Sequence, residues 1–339
     1  MKLSNNLLLF IIFLVGCTSL DKPDSGNAVL STSETSPQIN YGHNIIVAID
    51  MSNRILKRRR YEDPTIIKLI TDNLKPAFQK SIDLGINGKF YLTTINDDDF
   101  KNESYSDSVF KIDLNRFKTN AVERSNYLYH NDDSVNSLRH DVNRLNVTFE
   151  KFYQDRKQYK QLPADMWYFF RDKLTYPVLD TASFNYRYNN ASFTTKYKNY
   201  IIVLTDGYIE AGRYGKDPDM RYKNQLRFFD YQIIDEFRNR FNNSNSTSME
   251  RYFKDEDYGI LPVNNLLLKD SKVLVLELFD RSIINGVASK SPKDMEVIKL
   301  FWSDWLRKSG CAESNIVLKE NMSNTQDLNT IIKRFLEIN

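Results

Sequence analysis

Three short stretches of the chain are apolar at nearly every position: Ile45 to Ile49, Tyr200 to Leu204, and Val273 to Leu276 within a strand expected over Lys272–Phe279. Unbroken runs of this length predict strands buried on both faces. Helical spacing fills the intervals. Ile66, Ile67, Ile70, Leu74, Phe78 and Ile82 predict a helix over roughly 64–84. A second helix is expected from Ser137 to Tyr159, and a third from Pro163 to about Tyr176, with proline in its first turn. Leu226, Phe229, Ile233, Phe237 and Phe241 recur at helical spacing, as do Met295, Ile298, Phe301 and Trp305, and a last helix is expected over Leu328–Ile338. Phe90–Ile95, Val109–Leu114 and Ile316–Leu318 read as further strands. The Val109–Leu114 strand follows its predecessor closely enough to pair through a loop, as an antiparallel edge. Strands alternating with helices predict an α/β fold: a doubly wound, mainly parallel central sheet with helices on both faces.

The first 40 residues break this pattern. Lys2 is followed by an apolar run from Leu7 to Val15, long enough for a signal-peptide core and too short to span a bilayer. The run ends in Leu14-Val15-Gly16-Cys17, which resembles the lipobox of bacterial lipoproteins. That resemblance implies cleavage before Cys17 and a diacylglycerol on its sulfur. Residues 18–38 are rich in Ser, Thr, Asp, Pro and Gly and poor in large apolar side chains, so they read as a tether. The expected organisation is a signal peptide over 1–16, a flexible tether over 17–40 and one domain over 41–339, with insertions near 115–160 and 210–265. Thr18, directly after the lipid cysteine, is not the Asp that resembles an inner-membrane retention signal, so the outer membrane is the expected location.

Composition narrows the chemistry. With two cysteines in all, lipidation of Cys17 leaves Cys311 without an intramolecular partner, so the fold must stand on its core. The formal charge of +3 singles out no partner, and nucleic acid is not expected. The three histidines, His43, His130 and His140, have no metal-ligand spacing.

Open α/β sheets bind ligands beyond the carboxyl ends of their strands. Two polar clusters stand there: Asp50-Met51-Ser52-Asn53-Arg54 after the first apolar strand, and Thr205-Asp206-Gly207 after the second. A strand ending in D-x-S and a later strand ending in T-D-G resemble the von Willebrand factor A family, over about residues 42–339. In that family the clusters build a metal-ion-dependent adhesion site, written D-x-S-x-S, then a Thr, then an Asp. The resemblance implies Mg²⁺ (or Mn²⁺), with the Ser52 hydroxyl as direct ligand, Asp50 orienting water and Asp206 across the site. It also implies a binding or scaffold protein of the cell envelope, held to the membrane only by its N-terminal lipid and engaging a protein or glycan.

Two departures matter. The fifth position of the first cluster is Arg54, which has no oxygen to offer a cation. No loop carries an obvious Thr, and Asp165 is the preferred third contributor, with Thr181 and Thr195 as alternatives. Lys57-Arg58-Arg59-Arg60 reads as a solvated loop or as an anion-attracting rim, in which Arg54, Arg58 and Arg59 would meet the ligand. Tyr186, Tyr188 and Tyr197 are candidate recognition aromatics, whereas Phe169, Phe170, Phe228 and Phe229 are expected in the core. The rival function is a Mg²⁺-dependent phosphatase of the haloacid dehalogenase type. It requires a second Asp two residues after the nucleophile, where this chain has Ser52. A metal-free structural subunit of an envelope complex is the other alternative.

Overall fold

The computed structural model describes residues 38–57, 60–95, 105–117, 120–130, 136–188, 191–211, 220–284 and 287–338. The signal peptide and residues 17–37 of the expected tether, together with Arg58 and Arg59, lie outside them.

The fold is α/β with a seven-stranded, mostly parallel sheet covered by helices on both faces. In chain order the elements are β1 (Gln38–Ile49), α1 (Asp63–Thr71), α2 (Leu74–Asp83), β2 (Lys89–Thr94), β3 (Lys111–Asp113), α3 (Ala121–Tyr129), α4 (Leu138–Lys157), the one-turn α5 (Met166–Tyr168), β4 (Ser183–Tyr188) and β5 (Ala191–Leu204). There follow β6 (Arg221–Tyr222), β7 (Asn224–Leu226), α6 (Tyr231–Asn242), α7 (Met249–Asp255), β8 (Tyr258–Ile260), β9 (Ser271–Leu278), β10 (Ile283–Ile284), β11 (Val287–Ala288), α8 (Asp294–Lys308), β12 (Ile316–Glu320) and α9 (Thr325–Phe335).

The sheet runs β12-β9-β5-β1-β2-β3, with β3 antiparallel on one edge and β4 paired antiparallel to β5. Counting only the six strands along this path, the order is 3-2-1-4-5-6, and it reverses between β1 and β5. Those two strands pair over their whole common length, from Gln38 with Phe193 to Ile49 with Leu204. Their carboxyl ends are therefore level, and Asp50 and Thr205 leave the sheet side by side.

Alternation along the central strands fills two cores. Ile45, Val47 and Ile49 face α1, α2, α4 and α9, while Ile46 and Ala48 face α6 and α8. All five are fully buried, each large side chain contributing roughly 1.5–3 kcal/mol. Phe169, Phe170 and Phe229 are buried in the second core, and Phe228 is half-buried.

Several expectations need correction. The helix over 64–84 is two helices, broken at Asp72 and Asn73. The Asn73 amide donates to the Leu69 carbonyl (2.8 Å) and to Asn329 Oδ1 (2.7 Å), and Pro76 falls in the first turn of α2, where its missing N–H leaves no bond unmade. The helix from Pro163 starts three residues later, capped by Asp165, and passes into a π turn over Phe169–Lys173. Leu226 and Phe229 are not helical: α6 begins at Tyr231, after the Asp230 carboxylate accepts the Gln232 and Ile233 amides. Val109 belongs to a 3-10 turn, and only Lys111–Asp113 is strand. The domain begins earlier than Tyr41, because β1 starts at Gln38. The two insertions contain α3 and α4, and the small sheet β6-β7-β8 with α6 and α7. Among the described residues no helix is long and apolar enough to cross a membrane.

Candidate functional site

Three neighbouring strands, β1, β5 and β9, each deliver charged or polar side chains to one place beyond their carboxyl ends. From β1 comes Asp50, which is 2% exposed. Its amide still bonds the Leu204 carbonyl (2.9 Å), so the residue is positioned by the sheet itself. One carboxylate oxygen accepts the Ser52 amide (2.9 Å), and the other accepts the Thr205 hydroxyl (2.8 Å). Ser52 then caps a single 3-10 turn, Asn53–Leu56, with its own hydroxyl oxygen accepting from the Arg54 amide.

That turn folds Arg54 back into the protein. Its Nε donates to the Asp50 carbonyl at 2.5 Å and lies 3.6 Å from Asp50 Oδ2. The far side of the guanidinium forks onto Asp63, with Nη2–Oδ2 at 3.0 Å and Nη1–Oδ1 at 3.4 Å. Asp63 is fully buried in the first turn of α1, where the helix dipole also favours a carboxylate.

From β5 come Thr205 and Asp206. The Thr205 hydroxyl bridges the clusters, donating to Asp50 while accepting the Gly207 amide (3.2 Å). Asp206 Oδ2 meets Arg281 Nη2 (2.9 Å), supplied by the loop after β9, and Lys57 Nζ (3.6 Å), from the end of the 3-10 turn. Arg281 is clamped in turn. Its guanidinium lies 3.8 Å from the centroid of the Tyr208 ring, and Nη1 bonds Glu210 (2.6 Å). Tyr208 is fixed by its hydroxyl donating to Asp294 (3.1 Å) at the start of α8.

The charges act on one another. Burial, and then the neighbouring Asp206 charge, push the Asp50 carboxyl above the usual carboxylate range, with Arg54 pulling the other way. Burial alone would raise Asp206 too, but Arg281 and Lys57 outweigh it and hold that carboxyl below its ordinary value.

Asp50, Ser52 and Asp206 are thus brought to one locality, as the cluster spacing predicts. Arg54 belongs to it as well, but as a buried partner of two carboxylates and not as a rim residue. Asp165 does not share their bonds: its carboxylate accepts the Tyr168 amide (2.9 Å) and is paired with Arg227. The 158–165 segment does approach the first cluster, where the Gln161 amide bonds Asn53 Oδ1 (2.9 Å). Thr195 lies in the opposite half of β5 and donates to the Leu84 carbonyl, and Thr181 is exposed. Tyr197 is buried and bonded to Asn115, also away from the site, and the side chains of Tyr186 and Tyr188 lie outside the described residues. Asp63, Thr205 and Arg281 are residues of the site that the sequence motifs leave unassigned. Thr205 stood inside a quoted motif without a role, and Arg281 follows its strand with no motif around it.

The donor set does not fit a divalent ion. Mg²⁺ takes an octahedron of oxygens, yet the groups turned toward Asp50 and Asp206 are two guanidiniums and an ammonium. Among the described residues, no group of three or more His, Cys, Asp or Glu side chains is arranged to hold a metal. Compared with known proteins, the chain matches no family model and no curated sequence.

Proposed function

We propose that this chain is a non-catalytic binding or scaffold module of the bacterial envelope, anchored by lipid on Cys17. On this reading its von Willebrand factor A-like domain presents the strand-end face to a protein or glycan. The observation that carries the reading is the hydrogen bond between Thr205 and Asp50. It joins the two motif clusters at the point where the strand order reverses, in a sheet whose β1 side ends, beyond β2, in the antiparallel edge strand β3. A non-catalytic role is supported by the state of Asp50, whose two carboxylate oxygens are held by Ser52 and Thr205 and backed by Arg54. A phosphatase nucleophile needs a free oxygen and an acid nearby, and Ser52 is not an acid.

A partner would meet Lys57 and Glu210 first, since their side chains are 45% and 37% exposed. The test is capture from native envelopes with full-length protein carrying Lys57→Glu, against Lys196→Glu as control. Lys196 is exposed in the opposite half of β5. Capture is expected to fall with Lys57→Glu and to persist with the control. Equal capture by both variants would remove the strand-end face as the contact. Phosphomonoester turnover that Asp50→Asn abolishes would replace the binding reading with the catalytic one.

A further inference from the structure

We infer that the Arg54 guanidinium is a built-in substitute for a divalent cation, so that the strand-end site is assembled and neutralised without metal. The inference concerns the chemistry of the site and holds whether or not that face captures a partner.

Its first ground is position. A cation at this site would lie against Asp50 and close to Asp206. Arg54 Nε is 2.5 Å from the Asp50 carbonyl and 3.6 Å from its carboxylate, and the side chain is 1% exposed. Its positive charge acts on both Asp50 and Asp206. Among the described residues, Arg54 is the cation paired with the Asp50 carboxylate.

The second ground is the rest of the construction. A buried guanidinium needs an anion on its other face, and Asp63, fully buried, provides it in a two-point fork at 3.0 and 3.4 Å. Arg281 and Lys57 carry the remaining positive charge onto Asp206. Arg54 and Arg281 are guanidiniums, which stay protonated and present donors only, so neither can become a ligand. An incoming Mg²⁺ would face two clamped guanidiniums and the Lys57 ammonium in place of open oxygens.

The third ground is economy of the local backbone. Ser52 caps the 3-10 turn Asn53–Leu56, and that turn carries Arg54 inward. A direct metal ligand at Ser52 would compete for the same hydroxyl lone pairs that accept the Arg54 amide.

The test uses full-length protein and Mn²⁺ alone as probe, by calorimetric titration and by thermal midpoint. Wild type is expected to show no saturable binding up to about 1 mM Mn²⁺, and a midpoint unmoved by Mn²⁺ or chelator. The double variant Arg54→Ser with Asp63→Asn removes the internal cation and its buried counter-charge together. It is expected to bind Mn²⁺ at least about tenfold more tightly than wild type, with a midpoint that rises on adding the ion. Equal affinities, or a double variant that folds and ignores Mn²⁺, would overturn the inference. Should the double variant fail to fold, the wild-type arm decides alone: saturable Mn²⁺ binding that Asp50→Asn abolishes would sink it, and its absence supports it.

Discussion

Directly beneath the Asp206 carboxylate, Gly207 turns the backbone with φ of +94°. A Cβ there would lie 2.8 Å from Leu278 Cδ2 and 2.9 Å from Ile298 Cγ2, while the Gly207 carbonyl accepts the Trp302 indole N–H at 2.8 Å. Both neighbours are buried in the core between the sheet and α8, so neither has room to withdraw. Gly207→Ala is therefore expected to destabilise the fold by about 2–4 kcal/mol, from the left-handed backbone and the overpacking together. The same shift should misplace Asp206 relative to Arg281. Urea unfolding checks the energy, and a variant within about 0.5 kcal/mol of wild type would mean the turn relaxes freely. The T-D-G motif thus has two separable duties: its threonine and aspartate make the polar contacts, and its glycine lets them sit against a packed helix.

At the scale of elements, α9 is fastened to the far end of the sheet by titratable groups. His43 stacks on Tyr200 (4.9 Å between ring centroids), and its Nε2 donates to the Leu336 carbonyl at 2.7 Å. Glu337, next along, bonds Lys198, Lys272 and the Tyr200 hydroxyl. Burial pushes the His43 imidazole down from 6.5 to about 4. Burial opposes ionisation of Glu337, but its lysine partners prevail and hold it near about 2. Between pH 6.5 and 4 the unfolded chain then takes up a proton at His43 that the folded chain refuses. Stability should fall by on the order of 3 kcal/mol across that window. Glu337 adds a further loss as pH drops below about 4.5, discounted because its carboxylate is 40% exposed. Urea midpoints measured from pH 7 to pH 4 should show this slope, and His43→Gln should flatten it. An unchanged slope in that variant would place the acid sensitivity elsewhere. None of this latch was legible in the sequence, since His43 lies 293 residues from Leu336 and nothing local announces the pairing.

What was legible follows burial. Strands covered on both faces, such as Ile45–Ile49 and Tyr200–Leu204, leave unbroken apolar runs, and these were found. The extensions of the same strands, Gln38–Asn44 and Ala191–Asn199, are too polar to leave an apolar run, and their buried polar side chains, His43, Asn44, Thr195 and Asn199, are satisfied by hydrogen bonds that only the fold supplies. The hairpin partner β4 and the short sheet β6-β7-β8 escape notice for the same reason. The candidate site divides likewise. Asp50, Ser52 and Asp206 stand directly after apolar strands and could be read. Arg54 was read with the wrong role, because its charge suggests solvent. Only the three-dimensional pairing with Asp63 explains why it is buried.

For the molecule as a whole, the central strands belong to two cores at once. Odd-numbered residues of the β1 run support one face and even-numbered residues the other, so neither helical layer can detach without exposing the sheet. All three tryptophans, Trp167, Trp302 and Trp305, lie in the core on the α6 and α8 face. Tyrosine and phenylalanine, including Tyr127, Phe149 and Tyr153, line the other. Tryptophan fluorescence therefore reports one face alone, whereas far-ultraviolet circular dichroism reports helices on both. If the shared strands make the domain one cooperative unit, the two signals should give a single urea midpoint. A fluorescence transition preceding or trailing the loss of helix would mean that one layer unfolds while β1, β5 and β9 keep their pairing. That outcome would have a consequence for the strand-end site. Asp63 and α1 lie on the tryptophan-free face, whereas Arg281 and the Asp294 end of α8 are built on the other. A domain that opened one layer first would thus lose some of the ion pairs around Asp50 and Asp206 before the rest, and would expose those carboxylates to solvent cations in a partly folded state.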